Sequence, residues 1–443
     1  MGKQLFGTDG MRGVASEYPL DAPTVFAFGR ALGEWAREHS AEPRVAIGMD
    51  TRESGEQLSR WLMAGLKAAG VTPDHHGVVT TPCVAWLTKH GPFVAGVMIS
   101  ASHNPYQDNG LKVFAHSGYK LPDAVEQELE DRIFALAGPA PEPVSWRWFG
   151  MRDRAYREHL ANVFPLPLVG RKLVMDCANG AAFSSAPLLL RELGAEVMVL
   201  SGEPDGRNIN AGCGALHPEN LRRAVVEHGA WCGVAFDGDA DRAMFVSATG
   251  KVIDGDHVLF ILGRDLKRRG RLPKAEVVAT VMSNLGLEVA LRRYGIALVR
   301  TAVGDKYVLE EMIRREAVIG GEQSGHMIFH EYATTGDGVL TLLLLLDVML
   351  RADAGLDALT EEFTVFPQRL INVRFAVKRP LEEQAGVQQA IRACEGEFGD
   401  AGRVLVRFSG TEPLARVMVE GPSADRVEHH AHAIAAQIAA ALV

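Results

Sequence analysis

Neither common nucleotide-binding glycine loop, Gly-x-x-x-x-Gly-Lys-Ser/Thr or Gly-x-Gly-x-x-Gly, occurs in this 443-residue chain, so nucleotide binding is not indicated. Cysteine is scarce as well. The five thiols, Cys83, Cys177, Cys213, Cys232 and Cys394, are odd in number, far apart and without a Cys-x-x-Cys pair. That speaks against a disulfide framework or a structural zinc site and favours a reducing compartment. Basic residues do not dominate: 46 Lys and Arg stand against 55 Asp and Glu, a formal net charge of −9. General binding to nucleic acid or an anionic membrane is disfavoured, and an anionic substrate needs a local cluster of cations. Long apolar runs are missing too. The most lipid-like stretch, Val339 to Leu350, is broken by Asp347 and is too short to span a bilayer, so a buried helix is expected there. The N-terminal segment lacks the apolar run of a signal peptide, and Phe6 stands where a myristoylation motif wants Ser or Thr. With 46 Gly and 21 Pro, about 15% of the chain, the composition stays below the roughly 25–30% that marks disorder. A folded cytoplasmic protein is expected, with no nucleic-acid or membrane partner.

What is present repeats. Length allows roughly two to four domains of about 100–200 residues. Arg44-Val-Ala-Ile-Gly-Met-Asp50 is a short apolar strand pattern. A helical pattern follows from Glu56 to Ala69, with Leu58, Leu62 and Leu66 on one face, then the stop Gly70 and a new apolar stretch from Val71. The same order recurs in Lys172–Asp176, a helical segment with Leu188, Leu189, Leu190 and Leu193, Gly194, and Glu196–Leu200. It recurs again in Val277–Val281, a helix from Leu285 to Tyr294, Gly295, and Ile296–Val299. Strand, helix, glycine, strand is the pattern of a βαβ unit.

Each copy then sends a further strand into a polar loop. Phe93–Ile99 leads into Ser100-Ala-Ser-His-Asn-Pro105, Gly233–Phe236 into Asp237-Gly-Asp-Ala-Asp-Arg242, and Ala317–Ile319 into Gly320-Gly-Glu-Gln-Ser-Gly-His326. Ligands of open α/β sheets sit outside the carboxyl ends of strands, so three related domains would aim three loops at one cleft. The C-terminal part differs. Strand patterns at 368–377, 403–408 and 414–420 and helical ones at 381–398 and 423–442 suggest a small α+β domain. The expected fold class is α/β: three similar mixed-sheet α/β domains plus a smaller C-terminal α+β domain around a central cleft.

The loops carry the chemistry. Asp237, Asp239 and Asp241 alternate directly after an apolar strand and before another, so three charges between buried strands need compensation. Carboxylate oxygens suit a hard cation, most often Mg²⁺ where phosphate is handled. An EF-hand fits poorly, because its sixth and twelfth positions would be Arg242 and Ala248. A solvated acidic turn and a phosphatase with an Asp nucleophile are the competing readings. Ser102, in a loop with Ser100, His103, Asn104 and Pro105, separates them. A serine that carries phosphate needs a divalent cation beside it, whereas an Asp nucleophile needs no serine loop; a plain polar turn is the bland alternative. Arg407-Phe-Ser-Gly-Thr411 with Arg416 offers two guanidinium groups, two hydroxyls and a glycine, which suit phosphate, although a hairpin with salt-bridged arginines has the same composition. Glu322 and Ser324 can hydrogen-bond sugar hydroxyls, and His326 can exchange protons or simply pack. Lys112 can balance phosphate charge or move a proton, or be an ordinary exposed lysine.

In this order the four loops resemble those of the α-D-phosphohexomutase superfamily, over essentially the whole chain. The resemblance implies four domains, at 1–145, 146–252, 253–366 and 367–443, with the serine, metal, sugar and phosphate loops in turn. It implies a phosphoserine at Ser102, and Mg²⁺ held by Asp237, Asp239, Asp241 and the Ser102 phosphate. Sugar binding falls to Glu322 and Ser324, and phosphate binding to Arg407, Ser409, Gly410, Thr411 and Arg416. Lys112 and His326 become candidate general acid or base, with Arg12 and Arg242 as cationic neighbours of the reacting phosphate. Phe6-Gly-Thr-Asp-Gly-Met-Arg-Gly13, Gln323, Val303-Gly-Asp-Lys-Tyr307 and Gly410-Thr411-Glu412 look most like members that act on amino sugars. The superfamily's metal loop often has Gly where this chain has Ala240. The implied activity interconverts glucosamine 6-phosphate and glucosamine 1-phosphate through glucosamine 1,6-bisphosphate, feeding UDP-N-acetylglucosamine, in a monomer or homodimer. The alternatives are a phosphomannomutase/phosphoglucomutase or a non-catalytic phosphosugar-binding regulator.

Overall fold

The computed structural model describes residues 4–7, 9–136, 138, 152–409 and 413–442. The Pro-rich stretch Gly138-Pro-Ala-Pro-Glu-Pro143, whose composition suits a surface connection between domains, lies almost wholly outside the described residues. The chain forms two compact units: Met1–Val281 with Val299–Thr360, and Met282–Leu298 with Glu361–Val443.

Three sheets build the first unit. The first runs, in spatial order, Phe6–Gly7, Gly10–Val14, Asp108–Ala115, Ala95–Ile99, Arg44–Met49 and Thr72–Val78. Its last three strands are parallel and the others antiparallel, so the sheet is mixed. Helix Gly55–Ala68 returns the chain between parallel strands and buries Leu58, Leu62 and Leu66, the face that its spacing predicts. The second sheet runs Val252–Ile253, Ala243–Ser247, Cys232–Phe236, Lys172–Asp176 and Glu196–Leu200. The third runs Ala297–Thr301, Glu276–Thr280, Ile319–Gly321 and Met327–Phe329. Here the expected strand at 317–319 begins later. Gly320 and Gly321, expected in the loop that follows, are paired with Val278 and Ala279. The apolar run after Val339 is a buried helix, Gly338–Ala352, capped by Asp337. No helix among the described residues is long and apolar enough to cross a membrane.

The second unit holds an antiparallel sheet ordered Gln368–Arg374, Leu414–Glu420 and Arg403–Phe408, covered by helices Ala385–Phe398 and Ala424–Leu442. Val387, Phe398, Val417, Val419, Ile434 and Ile438 form its core. Helix Leu285–Arg292, expected as the crossover of the third repeat, belongs to this unit: Asn284 Nδ2 donates to Phe366 O at 3.0 Å and Arg403 Nη2 to Ser283 O at 3.0 Å.

Candidate active site

In the first unit each polar loop leaves the carboxyl end of a strand, and the three loops meet. Ser102 follows Ala95–Ile99, is buried, and holds a left-handed φ of +54°, which is uncommon for a residue with a side chain. Its Oγ donates to Asp237 Oδ2 at 2.5 Å, and its N–H to Ser100 Oγ at 2.9 Å. Asp237, Asp239 and Asp241 are all buried, with ligand oxygens within 4.8 Å of one another. Ala240 between them has φ +57°, a conformation that glycine adopts without steric cost.

The electrostatics of the cluster are those of a cation site. Burial, then Asp241 and Asp239, push the Asp237 pKa well above the usual range against the opposing pull of Arg242 and Ser102. Burial also works against ionised Asp241, but Lys112, His326 and Arg242 outweigh it and hold its pKa well below the usual range. Asp239 Oδ1 and Asp241 Oδ1 are buried without a hydrogen-bond partner. An all-oxygen donor set with two unmet carboxylate oxygens fits a hard divalent metal ion.

Lys112 is not exposed. It lies in the middle of strand Asp108–Ala115, which sequence reading missed, and its Nζ donates to Asp239 Oδ2 at 2.8 Å and Asp241 Oδ2 at 3.0 Å, with Asp9 Oδ2 at 3.3 Å. Burial opposes its charge, but these three carboxylates raise its pKa well above the ordinary lysine value. Lys112 is a held ammonium. His326 Nε2 accepts from Gly336 N at 3.0 Å, which puts the ring proton on Nδ1, 3.6 Å from Asp241 Oδ1. Arg242 presents its backbone N–H to Asp237 Oδ1 at 3.1 Å, while the Arg12 guanidinium donates to Asp9.

The sugar-loop candidates stand beside this cluster. Gly325, at φ +93°, lets the loop approach the neighbouring strand, since a Cβ there would lie 2.3 Å from Ala243 O. Glu322 Oε1 accepts from Gly304 N at 3.1 Å, and Ser324 Oγ is 3.5 Å from Glu322 Oε2. In the second unit, Arg407 and Arg416 face each other in register on adjacent strands, a like-charge pair that an anion would stabilise. Ser409 N donates to Leu414 O at 2.7 Å. Gly410 and Thr411 lie outside the described residues.

Sequence reading missed several supports. Asp9 joins Lys112, Lys120 and Arg12. Thr81 donates from Oγ1 to Asp239 Oδ2 and from its N–H to Asp239 O. His103 Nδ1 stands 3.4 Å from Ser102 Oγ; burial, Arg242 and Arg12 push its pKa down to about 4, so the ring is neutral. A cavity of about 470 Å³ with a mixed lining, Phe164, Leu262 and Phe329 beside Asp265, Arg269 and Arg351, shares no residue with these loops.

A serine aimed at an aspartate cluster, beside a carboxylate loop able to hold sugar hydroxyls, defines a phosphosugar-handling enzyme of the α/β class. The chain belongs to the phosphoglucomutase/phosphomannomutase family, whose α/β/α domains I, II and III match residues 3–138, 154–250 and 254–366 and whose C-terminal domain matches 370–437. More particularly, a phosphoglucosamine mutase of Solibacter usitatus is 56% identical over 437 residues, 98% of each chain. The crystal structure of a phosphoglucomutase/phosphomannomutase family protein from Burkholderia thailandensis superposes with a TM-score of 0.81 at 26% identity, covering 100% of this chain and 98% of that one. The N-acetylphosphoglucosamine mutase of Aspergillus fumigatus, solved with GlcNAc-6P and magnesium, shares the fold at TM-score 0.65 and 17% identity, with 99% and 96% covered.

Proposed function

We propose that the chain interconverts glucosamine 6-phosphate and glucosamine 1-phosphate, with Ser102 as the phosphoryl carrier. The supporting observation is the bond from Ser102 Oγ to Asp237 inside a buried aspartate cluster that keeps two unmet oxygens. The P–O bond to serine breaks as a P–O bond forms to the free sugar hydroxyl. The sugar hydroxyl gives up its proton and the departing serine oxygen takes one up, so transfer to the sugar returns Ser102 as a hydroxyl able to accept the next phosphoryl group. The resulting glucosamine 1,6-bisphosphate presents its other phosphate, which returns to Ser102 by the reverse step. Asp237, Asp239, Asp241 and the Ser102 phosphate would hold Mg²⁺, and the chemistry that ion would supply is positive charge for the phosphoryl oxygens.

Lys112, held as an ammonium by its carboxylate partners, serves as a cation beside the transferring group; His326, facing Asp241, is the proton-transfer candidate. Arg12 and Arg242 neutralise the reacting phosphate. Glu322 and Ser324 hold sugar hydroxyls. Arg407, Ser409, Gly410, Thr411 and Arg416 grip the phosphate that is not in transfer, which gives the in-register arginine pair a reason. The amino-sugar preference leans on the 56%-identical relative. We place the functional divisions at 1–145, 146–252, 253–366 and 367–443, working in a monomer or homodimer. Five free, buried cysteines favour the cytoplasm, where the product would feed UDP-N-acetylglucosamine synthesis.

The test is turnover of the phosphorylated, purified protein on glucosamine, glucose and mannose phosphates. Glucosamine phosphate should lead in kcat/KM by at least ~10-fold, ~1.4 kcal/mol of transition-state stabilisation. A preference for glucose or mannose 1-phosphate would keep the chemistry and reject the substrate.

A further inference from the structure

Two side chains given no role above meet behind the serine loop. Arg52 follows strand Arg44–Met49 and is buried, its charge met by the equally buried Asp50. Asn210 comes from the stretch between strand Glu196–Leu200 and helix Glu219–Glu227, in a left-handed conformation of φ +58°. Arg52 Nη2 donates to Ser102 O at 3.2 Å and Asn104 O at 2.6 Å. Asn210 Nδ2 donates to the same two oxygens, at 2.9 and 3.1 Å. Two donors, far apart in sequence, thus bridge one pair of converging carbonyls. Carbonyl dipoles aimed at one spot repel unless donors lie between them. Gly238, within the aspartate loop, completes the fit: a Cβ there would stand 2.5 Å from Ser102 O and 3.0 Å from Asn210 Nδ2.

We infer that Asn210 and Arg52 are positioning residues that lock the left-handed Ser102 backbone, so that Oγ stays aimed at the aspartate cluster throughout phosphoryl transfer. Their bonds to the loop go to main-chain oxygens, so they act through Ser102 rather than on substrate. Asn210 reads the loop from the same part of the chain that supplies the aspartates, which couples serine placement to metal-loop placement. The inference rests on Ser102 being the phosphoryl carrier.

Asn210 is the side chain to change, because removing Arg52 strands a buried Asp50 charge. Asn210→Gly keeps the left-handed backbone without strain and deletes the donor. Asn210→Asp keeps the side-chain shape but turns an acceptor toward two carbonyls. Each full-length variant is loaded with phosphate from glucose 1,6-bisphosphate, checked by intact mass, and assayed beside wild type and Ser102→Ala. Misplacing a reacting group by about 1 Å can cost ~100-fold, so kcat should fall at least ~10-fold in both variants, further in Asn210→Asp. KM for glucosamine phosphate should stay within about twofold, because the loops proposed to hold the sugar are untouched. Either of two results overturns the inference: kcat within about twofold of wild type in both variants at equal phosphoserine occupancy, or a raised KM at unchanged kcat. Turnover by Ser102→Ala would instead reject the serine reading, while an inactive Ser102→Ala beside fully active Asn210 variants rejects the clamp alone.

Discussion

Asp337 is a carboxylate placed where charge is costly. It caps helix Gly338–Ala352, Oδ1 accepting from Leu340 N at 2.9 Å, while Oδ2 accepts from the buried Tyr156 hydroxyl. Burial pushes its pKa from 3.8 up to about 6, and the bonds from Leu340, Tyr156 and Val339 recover only part of that cost. A raised pKa means that the folded state binds the proton more tightly than the unfolded chain. The stability contributed by the neutral carboxyl is therefore complete below pH 3.8 and is lost as pH rises through about 6. At about 1.4 kcal/mol per pH unit, that interval amounts to ~3 kcal/mol of lost stability at neutral pH. Asn caps helices as well as Asp does and carries no charge. Asp337→Asn should therefore match wild type near pH 4 and exceed it by ~3 kcal/mol above pH 7, several degrees in melting temperature. The assay is thermal melting of both proteins from pH 4 to 8, read as their difference, since other groups titrating in both then cancel. A difference that does not grow with pH, or a variant less stable than wild type at pH 8, would refute the reasoning.

Ser102→Ala should lose nearly all mutase turnover while the protein stays folded; full activity with phosphate found on another serine would sink the serine assignment. Thr81→Val removes the hydroxyl that bonds Asp239 and should raise the Mg²⁺ concentration for half-maximal activity ~10-fold. Turnover of wild type unaffected by chelator would rule out a catalytic cation. Arg407→Ala removes a charge-assisted phosphate contact worth ~1.5–3 kcal/mol and should raise KM roughly 10–100-fold, kcat changing less. An unchanged KM would make the second unit's loop a plain hairpin.

The fold was legible wherever apolar runs were bounded by polar residues. Strands Lys172–Asp176, Glu196–Leu200, Arg403–Phe408 and Leu414–Glu420 stand where their patterns put them. Reading failed where a charged or flexible residue serves the interior. Strand Asp108–Ala115 opens on Asp-Asn-Gly and carries Lys112, so periodicity treats it as surface; its ammonium is buried because three carboxylates meet it. Gly320 and Gly321 read as loop but pair in a sheet, because their neighbours leave no room for side chains: a Cβ on Gly320 would lie 2.6 Å from Met312. The candidate loops are local in sequence and were visible. Their supports, Asp9, Arg52, Thr81 and Asn210, act across the fold and leave no local pattern. Asp50, Arg52 and Thr81 nonetheless follow the strands Arg44–Met49 and Thr72–Val78, so the strand-end rule applied to every strand, not only to the motif-bearing ones, would have raised them.

Backbone strain was the least legible feature, because it falls on residues that do not advertise it. Ser102 and Ala240 both hold left-handed φ, at +54° and +57°, in the two loops that meet at the aspartate cluster. A side chain in that region costs ~1–2 kcal/mol per residue. At position 240 glycine would remove the cost, but the Ala240 methyl is fully buried, and the apolar contact it makes offsets part of the strain. Glycine and alanine are then close in free energy at this position, so alanine is tolerated between the two aspartates. Position 102 has no such freedom. The relief that glycine would bring removes the hydroxyl that the loop exists to present, so the strain there has to be held by other groups, and the four hydrogen bonds from Arg52 and Asn210 to the Ser102 and Asn104 carbonyls are placed to hold it.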